Sequence, residues 1–172
     1  MTNRITTLLI VALSAAFAAS VRSETHFERD RVFLYQPDAD LRARLDSAED
    51  LAAYIKRLQA AGTSFFASEQ KPESLDVIVG VKPGKRVKIW FISSRRPSED
   101  KELGALRKKL EAVRPCSVHG GAVVFALNWT IAGAKPAAKG KAESPFPIPK
   151  EWRNAGKNLS VPDGIFERIW RD

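Results

Sequence analysis

Leu75-Asp76-Val77-Ile78-Val79-Gly80-Val81, then Pro83-Gly84, then Val87-Lys88-Ile89-Trp90-Phe91-Ile92 is the stretch on which the fold turns. Branched and aromatic residues crowd both sides of a Pro-Gly pair, the signature of two strands joined as a hairpin. Proline presets the first central position of a type II turn and glycine accepts the positive φ of the second. A loop of four residues or slightly more is expected. On the second strand Val87, Ile89 and Phe91 share one face, and Lys88, Trp90 and Ile92 the other. That second face is too apolar to stand fully in water, so partial cover is expected.

Working outward, Ser47-Ala48-Glu49-Asp50 has capping-box spacing with Asp in the acidic place. Leu51, Tyr54, Ile55 and Leu58 recur at i, i+3, i+4 and i+7, one face of a helix, and Gly62 stands where a C-terminal cap is expected. After the hairpin, Ser98 is the expected cap of a second helix. Glu99 and Asp100 lie at its positive end, Leu103, Leu106, Leu110 and Val113 form its apolar stripe, and Pro115 closes it. Beyond Gly120-Gly121, Val123, Phe125, Leu127, Trp129 and Ile131 alternate with Val124, Ala126, Asn128 and Thr130, the clearest strand in the chain. The expected fold class is α+β: helix, hairpin, helix, strand, with a three-stranded antiparallel sheet packed by two helices.

The flanks divide the 172 residues further. Arg4 followed by the uncharged apolar run Leu8–Ala19, small residues, and charged chain from Glu24 match a secretory signal peptide at 1–23, cut after Ser23. The run is short for a membrane span. Residues 24–132 form the expected α+β domain, in which Val32-Phe33-Leu34-Tyr35 is a short edge strand stopped by Pro37. Residues 133–149, rich in Ala, Lys, Gly and Pro, read as a linker. Residues 150–172 carry Trp152, Ile165, Phe166, Ile169 and Trp170, too much apolar bulk for free coil, and are expected to dock on the domain. The resulting location is periplasmic or secreted.

The net charge is +8, and about +6 once Arg4 and Arg22 leave with the leader. In an exported protein that balance points to an anionic envelope component or an envelope protein, not to nucleic acid. Cys116 is the only cysteine, so no disulfide closes within the chain, and a buried thiol is expected. Cys116-Ser117-Val118-His119 has zinc-like spacing but lacks a second ligand pair. The same two residues make a poor nucleophile pair, with no third orienting group. No Gly-x-Ser-x-Gly elbow or phosphate loop is present. No catalytic residue, metal or cofactor is therefore assigned. The binding residues expected are Lys82, Lys85, Arg86 and Lys88, crowding the hairpin turn, with Trp90 as an aromatic for stacking. Arg95 and Arg96 belong to the other end of the strand. Backbone pairing at a sheet edge is a second binding route, one that needs no special side chain.

Gly84, the alternating Val87–Phe91 strand closed by Ser93-Ser94, the Leu103/Leu106/Leu110 helix, Pro115, and Gly120-Gly121 before the last strand resemble the C-terminal domain of TonB-type energy-transducing proteins over residues 46–132. The resemblance implies a periplasmic binding domain that pairs a sheet edge with a partner's extended peptide. The chain lacks that family's Tyr-Pro opening, its long Pro-rich spacer, and a Ser and His four apart in the leader, where Ser14 is followed by Ala18. The expected function is thus an exported, non-catalytic accessory module. The alternatives are a small periplasmic enzyme or enzyme inhibitor, and an accessory tethered by a retained leader.

Overall fold

The computed structural model describes residues 27–134 and 146–153, together with Gly164, Phe166, Ile169 and Trp170. The expected signal peptide and most of the expected linker lie outside the described residues. The elements run β1 (Phe27–Leu34), α1 (Asp38–Arg44), α2 (Ala48–Phe65), β2 (Glu73–Lys82), β3 (Arg86–Ser93), α3 (Lys101–Glu111), β4 (Val123–Ile131) and α4 (Lys150–Arg153). Fold class is α+β with an antiparallel sheet.

That sheet has four strands in the order β1-β4-β2-β3, not three. The added strand is β1, which pairs along β4 from Phe27↔Ile131 to Leu34↔Phe125, with a bulge between Arg29 and Arg31. Its first half alternates charges instead of apolar groups, so only its end showed a strand pattern. β4 therefore lies inside the sheet, which explains why both of its faces are apolar and buried.

Local chemistry sets most element ends. Ser47 Oγ accepts the Asp50 N–H at 3.0 Å and starts α2. Asp50 does not return the favour; its carboxylate takes the Ser117 N–H at 2.7 Å and ties the loop before β4 to the helix. Nor does Gly62 end α2, which runs on to Phe65. A Cβ at Gly62 would lie 2.7 Å from the Trp129 ring, so this glycine permits close packing inside the helix. Helix α3 is capped by Asp100, which accepts from Glu102 and Leu103 N–H, not by Ser98, whose hydroxyl contacts Glu99. The Asp100 N–H bonds Pro97 O, a turn that carries Asp100 into the capping position. In the hairpin, Lys82 pairs with Arg86, leaving three loop residues. Gly84 and Lys85 both take positive φ, +79° and +61°, and close the loop tighter than expected.

Two apolar layers flank the sheet. On one side Tyr54, Leu58, Leu103, Leu106 and Leu110 pack on Val77, Val79, Phe125, Leu127 and Trp129. On the other, Ile78, Trp90, Val124 and Ala126 are covered by Trp152, Phe166 and Trp170. The cover expected over the Trp90 face is thus supplied by residues beyond 150.

Candidate binding surfaces

The five residues expected to bind do not form one patch. Trp90 is 7% exposed, with ring centroids 5.3 Å from Trp152, 6.0 Å from Phe166 and 6.2 Å from Trp170, so its faces are already occupied. Lys82 Nζ donates to Trp170 O and Lys88 Nζ to Ile169 O, each at 3.0 Å. Both ammonium groups are thereby committed to carbonyls of the chain itself. Lys85 and Arg86 are exposed at the turn. Position along the strand predicted a basic end; the partners of Lys82 and Lys88 come from residues more than eighty positions away.

Arg95 and Arg96 sit at the opposite end of β3, inside an ion-pair network. Arg96 contacts Glu69, Glu73 and Glu102, while Arg95 reaches Glu69 at 2.9 Å and Glu73 at 3.2 Å. The Glu73 side chain is fully buried and also accepts from Ser93 Oγ. Glu69 is held below the usual carboxylate range, chiefly by the Lys71 backbone N–H and then by the two arginines. The network joins four segments and reads as structural.

Cys116 and His119 separate. The thiol is buried and pushed up to about 11, mainly by desolvation and then by Asp50, so it is neutral at pH 7. His119 is exposed, its Nδ1 lying 3.2 Å from Asp46 Oδ1. Among the described residues no three His, Cys, Asp or Glu side chains gather as metal ligands, and no helix is long and apolar enough to cross a membrane.

The edge available for backbone pairing is that of β1. In an antiparallel ladder, residues alternate between bonding the neighbour and facing away. Tyr35 N–H donates to Val124 O, so Phe33 and Tyr35 bond β4 while Val32 and Leu34 turn their N–H and C=O outward. No described residue bonds those outward groups. The Val32 and Leu34 side chains are 37% and 38% exposed, among the few large apolar groups left in water. Leu34 also lines a groove of about 390 Å³ with Leu41, Leu45 and Leu51, whose charged lining is mixed: Asp38, Asp46 and Arg42. The upper end of this edge is held by Gln36, whose amide accepts from Val124 N–H and donates to Ala122 O. The opposite edge differs: on β3 the outward Ile89 N–H is taken by Glu111 of α3 at 3.3 Å. Comparison with family models, with curated proteins and with solved structures finds no match.

Proposed function

We propose that this chain is an exported, non-catalytic binding module of the cell envelope, akin in architecture to the TonB C-terminal domain, that takes an extended peptide along the edge of β1. The observation carrying this reading is the outward backbone of Val32 and Leu34, set beside an apolar groove. Strand addition draws affinity from main-chain bonds and specificity from pockets for alternate side chains. The Leu34–Leu51 groove suits an apolar side chain of the peptide, and its mixed rim of Asp38, Asp46 and Arg42 sets no single charge preference. Protection of the other edge by Glu111 leaves β1 as the strand to extend.

The test is a display library of ten-residue peptides panned against the full chain and against Val32→Pro and Phe33→Pro. Proline at Val32 removes an N–H that faces away from the sheet, a position where edge strands tolerate it. Enriched peptides are expected to alternate apolar residues and to lose at least ten-fold in affinity with V32P while its thermal transition moves little. F33P breaks a ladder bond and is expected to destabilise the fold. Peptides that bind V32P as tightly as the parent chain overturn the proposal.

A further inference from the structure

The second face of the sheet is covered by the chain's own C-terminal residues. Gly80 leaves a slot in β2: a Cβ there would lie 3.0 Å from Trp170 and 3.2 Å from Trp90. Ile78, Val124 and Ala126 form the floor, and Trp90 and Trp152 the walls. Into this recess come Phe166, Ile169 and Trp170, spaced i, i+3, i+4, with Phe166 and Ile169 helical and Trp170 N–H bonded to Phe166 O at 3.0 Å. Phe166 meets Trp152 edge-on with centroids 5.1 Å apart.

The polar end of the recess is equally specific. A helix leaves its last carbonyls without intrahelical partners, and cations near them are favoured. Lys88 and Lys82 stand on β3 and β2 with their ammonium groups on the carbonyls of Ile169 and Trp170. Lys82 Nζ also lies 4.8 Å from the centre of the Trp170 ring. The sheet thus meets both the side chains of Phe166, Ile169 and Trp170 and the carbonyls of Ile169 and Trp170, the two kinds of contact by which grooves capture amphipathic helices.

We propose that this face is a recognition site for a short amphipathic helix ending in the Phe-x-x-Ile-Trp pattern, and that the chain's own segment around Phe166–Trp170 is its detachable intramolecular ligand. The core on the other face of the sheet draws nothing from this segment; its departure uncovers Ile78, Trp90, Val124 and Trp152 on this face, the apolar surface that a competing helix would have to cover. This site is distinct from the β1 edge, and its test does not depend on peptide pairing there.

Hydrogen exchange of the unmodified chain gives the first test. The Trp170 amide is expected to exchange at least ten-fold faster than those of Val123–Leu127 in β4; equal protection overturns the proposal, since the segment would then open only with the whole molecule. The second test titrates a fluorescent peptide of residues 162–172 onto the parent chain and onto F166A/W170A. A tethered ligand competes at millimolar effective concentration, so the peptide is expected to bind the variant at least ten-fold more tightly. Adding Lys88→Ala to that variant is expected to weaken peptide binding about five-fold, the scale of one charge-assisted bond at a part-exposed site. A folded F166A/W170A that ignores the peptide, or equal binding by variant and parent, overturns the proposal. If F166A/W170A does not fold, the exchange comparison on the parent chain decides.

Discussion

Asp76 sets a carboxyl group among apolar side chains. It lies on the Trp90 face of β2, where its Oδ1 accepts from Asn128 Nδ2 at 2.6 Å. Burial raises its carboxyl above the usual range, and the Asn128 bond only partly opposes this. The folded state therefore holds the Asp76 proton more firmly than the unfolded chain. By linkage, its contribution to stability is full below the unfolded value, about 3.9, and is lost as pH rises through the folded value. Asp76→Asn keeps the acceptor oxygen and removes the charge. Its melting temperature is expected to exceed that of the parent at pH 7, with the gap closing as pH falls to about 3. A constant gap across that range would exclude titration of Asp76 as the cause. The Asn128 contact was not visible beforehand, because alternation assigns a face but not a cross-strand partner.

Among the elements, the two helices show how one residue type serves opposite ends. Gly62 in α2 touches Trp129, whereas a Cβ at Gly104 in α3 meets nothing within 4 Å. Alanine favours helix over glycine by about 1 kcal/mol. Gly104→Ala is accordingly expected to stabilise the protein by about 0.5–1 kcal/mol in urea unfolding. Gly62→Ala is expected to lose about 1–3 kcal/mol despite the same propensity gain, because the indole has no room to retreat in a packed core. A gain at Gly62 would mean that Trp129 shifts freely. Helix faces and strand alternation were legible from spacing, since Leu51, Tyr54, Leu58, Leu103, Leu106 and Leu110 are all buried where their period put them. The role of Gly62 was not, because a cap and a close approach call for the same residue.

Across the whole molecule, the Arg95–Arg96 cluster joins the loop after α2, both hairpin strands and α3 at one end of the sheet. Arg96 is the buried member, its side chain 5% exposed against 31% for Arg95. Arg96→Ala removes the buried partner of the Glu73 carboxylate, leaving it the part-exposed Arg95 and Ser93 Oγ. It is expected to cost about 3 kcal/mol, while Arg95→Ala is expected to cost under about 1 kcal/mol. Chemical denaturation of both variants checks the ranking; equal losses would show that exposure does not govern the pair. Spacing and chemistry along the chain determined helices α2 and α3, the hairpin, the strand β4 and the basic character of the turn, because each depends on residues within a few positions of one another. Tertiary structure alone decided the pairing of the whole of β1 with β4, the contacts of Lys82, Lys88 and Trp90 with Trp152, Phe166, Ile169 and Trp170, and which backbone groups of the Val32–Leu34 edge face outward. Those features depend on contacts between distant segments and on backbone groups that every residue carries, neither of which leaves a local pattern.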